Sequence, residues 1–258
     1  MTSYDIMSGL QAELLKASDR DSGKIGQQLR FIFDKMIESA DVNRAIEVGA
    51  YEASFSKKFK RRYPDANVIA YEANPHVFNR FKGNVESAGV DYRHLCVGPE
   101  NGELTISIPR DFRGSARPAD NQMASLMSNL HSDESEDVVV RCVRLDDDVK
   151  PAEGDRIALW VDVEGATSQV FGAATQTLER TALVLVEVES RPIWDGQWLA
   201  HDVNRFMESH GFVPIARDIQ RVHQFNFIYA NPAMVDVPKF IKLVARYLSG
   251  THAFAPQE

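Results

Sequence analysis

Six carboxylates in this sequence stand where apolar runs end: Glu47, Glu72, the pair Asp162 and Glu164, and the pair Glu187 and Glu189. Runs such as Ile157–Val161 and Ala182–Val186 have the near-continuous apolarity of strands buried on both faces of a parallel sheet. In open sheets of that kind, ligands bind in the crevice at the carboxyl ends of the strands. Acids gathered there suit a cationic or polyhydroxylated ligand. Glu187 and Glu189 are taken to lie on opposite faces of their strand. Glu47 and Glu72 carry a more specific meaning. Glu72 follows the Gly49 turn at about the 20-residue distance at which a carboxylate holds the ribose hydroxyls of a nucleoside cofactor.

The turn itself, Glu47-Val48-Gly49-Ala50-Tyr51-Glu52-Ala53-Ser54, narrows the cofactor. A dinucleotide fingerprint needs three glycines so that backbone can approach a pyrophosphate at the helix N-terminus. Only Gly49 is present here, and Tyr51 and Glu52 would crowd and repel phosphate. No P-loop motif occurs anywhere. S-adenosylmethionine has a ribose, no phosphate and a sulfonium cation, and suits this turn better than NAD does.

The elements that position these acids follow from periodicity. Ile25, Leu29, Ile32, Phe33, Met36 and Ile37 share one helical face, so residues 1–40 read as an N-terminal helical extension of two helices. Strands are expected at 45–48 and 67–71, with helices after each, the second capped by Asn74-Pro75 and closed near Gly89. A single crossover helix is expected over 166–178, another helix over 203–209, and a late, antiparallel strand over 225–229. The polar segment 110–137 reads as a lid loop over the site. The domain proper is set at 41–232, and 233–258 as a C-terminal helix and tail. Strand–helix alternation with right-handed crossovers gives an α/β fold with helices on both faces of the sheet.

Composition sets outer limits. The chain has 258 residues, with 29 Lys+Arg against 37 Asp+Glu and a net charge of −8, which disfavours nucleic acid and anionic membranes as partners. No signal peptide or membrane span is read, so the expected location is cytoplasmic. Cys96 and Cys142 form no CxxC pair, which removes zinc ribbons and disulfide scaffolds; both are expected to be buried and inert.

Five strings in order, Ile46-Glu47-Val48-Gly49-Ala50, Ala70-Tyr71-Glu72-Ala73-Asn74-Pro75, Val143-Arg144-Leu145-Asp146-Asp147, Trp160-Val161-Asp162-Val163-Glu164-Gly165-Ala166 and Val186-Glu187-Val188, resemble the FkbM family of S-adenosylmethionine-dependent methyltransferases. The resemblance covers roughly residues 40–230. It implies a class I methyltransferase, Rossmann-like fold with a seven-stranded, mostly parallel sheet whose last strand is antiparallel. It also implies methyl transfer to oxygen, typically a hydroxyl on a sugar or secondary metabolite. Carried onto this chain, Glu47, Gly49, Ala50, Tyr51 and Ser54 would line the cofactor, with Glu72, Ala73 and Asn74 at its ribose. Asp162 and Glu164 would stand at the reaction end. The chain departs from the family pattern at Tyr51 and Ala53, where Asn and Gly are common, and at Thr167, which replaces an acid.

Methyl transfer to a hydroxyl needs a base near the methyl group, and Asp162 is the first candidate, with Glu164 beside it. The same two acids are the candidate ligands for a divalent cation, a weaker reading than hydrogen bonding to substrate. Glu189, Trp194, Trp198, His201 and His223 are candidate substrate contacts, the two histidines also being rival bases. The partner expected is a small-molecule or glycan substrate. The terminal helices are candidates for a homodimer contact, packing on their own domain being the plainer reading. Two other readings stand beside the methyltransferase: an NAD-linked Rossmann oxidoreductase, and a non-catalytic S-adenosylmethionine-binding module.

Overall fold

A computed structural model describes residues 3–250; residues 1–2 and the expected tail 251–258 lie outside the described residues. In chain order it places α1 (Ser3–Lys16), α2 (Ser22–Ser39), β1 (Arg44–Val48), α3 (Ser54–Arg62), β2 (Asn67–Tyr71), α4 (Pro75–Ser87) and β3 (Asp91–Arg93). Then come β4 (Cys96–Val97), β5 (Gly102–Pro109), β6 (Asp111–Phe112), β7 (Ser115–Ala116) and β8 (Ser135–Val143). The remainder is α5 (Leu145–Val149), β9 (Ile157–Val161), α6 (Thr167–Gly172), α7 (Thr175–Glu179), β10 (Thr181–Glu189), α8 (Ala200–Ser209), β11 (Val213–Arg217), β12 (Gln224–Ala230) and α9 (Val237–Ser249). Seven strands follow the sheet order β11-β12-β10-β9-β1-β2-β3, the mostly parallel α/β arrangement expected. Among the described residues, no helix is long and apolar enough to cross a membrane.

The chain divides into two compact units. One is formed by Asn43–Thr181 and Arg191–Trp198. Its strands β9, β1, β2 and β3 are all parallel, with Glu47 opposite Ala70 on one side and Trp160 on the other. Every β1 residue is buried, which is why the sequence there shows no polar alternation. Asn74 caps α4 through its Oδ1, which accepts the His76 amide at 2.9 Å, and Gly89 turns the chain out at φ +81. A second sheet, β4-β8-β5, carries a small core of Cys96, Ile106, Ile108, Val140 and Cys142. Cys96 and Cys142, remote in sequence, are register partners in it, both buried and free.

The single helix expected over 166–178 is two helices, α6 and α7. The cause is a distant acid. Asp146 is buried, and its carboxylate accepts the amides of Gln176 (3.0 Å) and Thr177 (2.8 Å) and the Thr177 hydroxyl (2.8 Å), which starts α7 afresh at Thr175.

The other unit holds the described residues up to Val42, Ala182–Ser190 and those from Leu199 onward. Here β12 runs antiparallel to both β10 and β11, as expected of the late strand. All six apolar residues assigned to the α2 face are buried, and α2 packs on α9. α1 lies along the edge strand β11. Gln11 completes that edge, its Nε2 donating to the Ile215 carbonyl at 3.2 Å and its Oε1 accepting the Arg217 amide at 3.1 Å.

Candidate active site

The turn after β1 is set by backbone approach. Gly49 has φ +77, and a Cβ there would stand 1.7 Å from the Asp162 carbonyl oxygen. The amides of Gly49 and Ala50 both donate to the Tyr71 carbonyl, at 3.1 and 2.9 Å, and the Asp162 amide donates to the Val48 carbonyl at 2.9 Å. The glycine is therefore demanded by the closeness of the β1 and β9 ends, before any ligand is considered.

Three acids occupy the carboxyl ends of β2, β1 and β9, which are neighbours. Glu47 is buried and faces the first turn of α3, where its Oε2 accepts the Ser56 amide at 2.9 Å; Ala53 at the cap position has no side chain to do this. Glu72 is buried and ties two turns together. Its Oε2 accepts the Tyr51 amide at 2.8 Å and its Oε1 the Asn74 amide at 2.7 Å. Desolvation pushes both acids up to about 7, against the pull of those amides and with repulsion from Asp162 adding to the rise. Asp162 is half-buried, and desolvation pushes it up to about 6. Among the described residues no group donates a hydrogen bond to its carboxylate.

The strand does not continue to Glu164, as the expected shared side for the two acids would need; β9 ends at Val161. Instead Glu164 is left-handed (φ 47) and Gly165 follows at φ 83. The turn still leaves the Asp162 and Glu164 carboxylate oxygens within 4.8 Å of one another. Ser125, from the segment read as a lid, holds the turn, its Oγ donating to the Glu164 carbonyl at 2.7 Å. That segment is tied down elsewhere too: Asn74 Nδ2 donates to the Ala119 carbonyl at 2.9 Å, and the Leu130 amide to the Ile193 carbonyl at 2.9 Å. Sequence reasoning missed these anchors, because nothing local marks Ser125 or Asn74 as reaching so far along the chain.

Trp194 is corrected. It is fully buried, packed so closely on Gly165 that a Cβ there would stand 2.6 Å from its ring, so it is core and not a substrate face. Trp198 is half-buried, and Ser54 is exposed, its Oγ donating to Glu52 at 2.9 Å. In the other unit, Glu189 is buried and His201 exposed, while His223 Nδ1 lies 3.2 Å from Ser190 Oγ. The Gln224 amide reaches both Glu187 (2.7 Å) and Glu189 (3.4 Å). The two acids thus share a face, as the two-residue period of a strand requires, and the expected opposite placement is wrong.

A family model described as the Methyltransferase FkbM domain matches residues 47–214, more than half of the chain and all four acids from Glu47 to Glu164 discussed above. The chain belongs to the FkbM methyltransferase family. This FkbM chain is 25% identical over 162 residues to 2-O-methyltransferase NoeI of Sinorhizobium fredii (strain NBRC 101917 / NGR234), covering 59% of this chain and 65% of that protein. It is 30% identical over 139 residues to Methyltransferase 1 of Beauveria bassiana (strain ARSEF 2860), covering 49% and 56%. The chain thus spans less than two thirds of the length of these curated relatives. Among solved structures it is similar to methyltransferase FkbM from Methylobacillus flagellatus KT, with a TM-score of 0.45 and 9% identity over 72% of this chain and 44% of that one. The family is one of S-adenosylmethionine-dependent methyltransferases, which removes the oxidoreductase reading.

The two departures from the FkbM pattern in the first turn now have a physical meaning. Tyr51 and Ala53 both sit at positive φ, 49 and 52, where the family's common Asn and Gly are cheaper. Each costs about 1 kcal/mol of backbone strain. Tyr51 is held by Glu72 and by the Tyr92 hydroxyl, which donates to its carbonyl.

The raised carboxyls fix a pH dependence. In the folded chain Glu47, Glu72 and Asp162 keep protons that the unfolded chain releases near pH 4. Their contribution to stability is therefore present below that range and lost as pH rises through about 6 to 7. Thermal melts of the ligand-free chain should show this contribution as a fall in Tm between pH 5 and pH 7.5, in roughly that window. Glu72→Gln should flatten the fall; an unchanged slope would mean that Glu72 is not desolvated as described.

Proposed function

We propose that this protein is an S-adenosylmethionine-dependent O-methyltransferase acting on a hydroxyl of a sugar or secondary metabolite, with Asp162 as general base. The observation that carries the reading is the Asp162 carboxylate itself: half-buried, desolvated and, among the described residues, without a hydrogen-bond donor, at the carboxyl end of a central parallel strand. A base left free in this way, and raised towards neutrality, suits proton removal from an alcohol. The relative NoeI is named a 2-O-methyltransferase, which supports oxygen as the acceptor atom.

The residues present fit the cofactor. Asp162 repels both Glu47 and Glu72 in a desolvated cluster, and a bound cation would relieve that repulsion. No phosphate-binding glycine loop is needed. S-adenosylmethionine, when bound, supplies an electrophilic methyl group on a positively charged sulfur. Glu72 keeps lone pairs beyond those used by Tyr51 and Asn74, and these would accept from ribose hydroxyls. Glu47 would add negative potential from the α3 side. At the acceptor, Asp162 takes the hydroxyl proton while Glu164, close beside it, orients the hydroxyl or a neighbouring one.

The test is transfer of an isotopically labelled methyl group from S-adenosylmethionine to a panel of polyols, glycans and hydroxylated metabolites, read by mass spectrometry. Labelled ether products are expected. Label found only on nitrogen or carboxylate acceptors would overturn the proposed acceptor class.

A further inference from the structure

The unit that contains α1, β11, β12 and α8 holds a cleft of about 940 Å³. It is built from α1, the β11–β12 turn and the start of α8, and α1 lies outside the span matched by the family. In a chain of net charge −8 its lining carries three cationic side chains, Lys16, Arg217 and Arg221, against one acid, Asp5.

At the centre of this lining is Arg217. Its guanidinium lies over Phe225, Cζ 3.5 Å from the ring centroid. Nη1 donates to Ser8 Oγ at 2.7 Å and Nε to the Asp218 carbonyl at 3.0 Å. Among the described residues no carboxylate is within ion-pair distance of it. The neighbouring Asp218 carboxylate is taken by Asn226, whose amide and Nδ2 donate to it at 2.7 and 2.9 Å. Burial lowers the pKa of Arg217, against the opposing pull of the Asp218 charge. Beside it in the lining, Tyr4 is 6% exposed, and its hydroxyl lies against Ser8 and the Arg217 guanidinium without a well-formed hydrogen bond among the described residues.

We propose that this cleft is a binding site for an oxyanion carried by a small molecule, a carboxylate or phosphate, held by the Arg217 guanidinium and the Tyr4 hydroxyl and attracted by Arg221 and Lys16. The anion offers Tyr4 a stronger acceptor than Ser8, which Arg217 already uses, and gives Arg217 an ion-pair partner in direct contact, and the Phe225 side of the cleft takes the apolar part of the molecule. The site stands independently of the methyl-transfer reading.

Calorimetric titration of the full chain with inorganic phosphate and, separately, acetate, at constant ionic strength with chloride as the reference anion, tests it. Saturable binding of phosphate or of acetate is expected, and the stronger of the two names the class. Tyr4→Phe should weaken that binding about tenfold, as expected for one hydrogen bond to a charged group. The same variant should leave the ligand-free Tm unchanged or higher, because the hydroxyl it removes makes no well-formed hydrogen bond among the described residues. Arg221→Gln, on an exposed residue, should weaken binding and lower its salt dependence. Absence of saturable binding for both anions would overturn the proposal. So would equal affinity in Tyr4→Phe and the parent chain, which would leave the hydroxyl a structural or water-bound group.

Discussion

Asp162→Asn should lower kcat by roughly 10²–10⁴, the range typical for loss of a positioned general base. The substitution keeps the shape of the side chain and removes only its capacity to take a proton. The carboxylate receives no hydrogen bond among the described residues, so the amide breaks no bond in the fold and the ligand-free Tm should not fall. It should rise near pH 7, because a neutral group replaces one that desolvation has pushed up to about 6. In the parent enzyme kcat should increase with pH along an acid limb set by deprotonation of this group. That limb lies at or below about 6, since a bound cation favours the ionised form. The limb should vanish in the variant. A variant with full kcat and an unchanged pH profile would move the base elsewhere, with Glu164 first in line.

Gly49→Ala is expected to be the most damaging single change to the fold of the site. A methyl group there meets the Asp162 carbonyl oxygen at 1.7 Å, and φ +77 is itself unfavourable for any residue with a Cβ. Backbone must move, and the backbone concerned carries Val48, Asp162 and the Tyr71 carbonyl that orders the turn. A loss of about 4 kcal/mol or more follows, the size reached only by changes that disrupt the core or strain the backbone. Chemical denaturation reads it directly. Gly83 supplies the control. It lies inside α4, where an added Cβ would meet nothing within 4 Å, so Gly83→Ala should raise stability by about 0.5–1 kcal/mol. Equal midpoints for the two variants would refute the packing account of the turn.

Those two positions also show how far sequence could carry the reading. Gly49 and Asp162 were legible because each closes an apolar run, and β2 and β9 have the bounds that hydropathy marks. Glu47 and Glu72 were found for the same reason. What sequence could not supply was long-range. The α6–α7 break depends on Asp146 reaching Thr177 across the chain. Strand β8 is half exposed and begins with Ser135-Glu136-Asp137, so it carries little apolar signal until it pairs with β5. Trp194 followed a strand end as a substrate contact would, yet it is Gly165, a segment away, that makes room for it in the core. Tyr51 and Ala53 could be marked as departures from the family pattern, whereas their left-handed backbone needed the structure.

The proposed seat for a sulfonium cofactor is the set of desolvated carboxylates at the ends of β2, β1 and β9. Titration of the full chain with S-adenosylmethionine near pH 6.5, in two buffers of different ionisation enthalpy, tests it most directly, since about half of the relevant carboxyl groups are then protonated. The account predicts saturable binding with net proton release, because the bound cation draws Glu47, Glu72 and Asp162 into their ionised forms, and no comparable binding of NAD. Binding with proton uptake, or none at all, would contradict it.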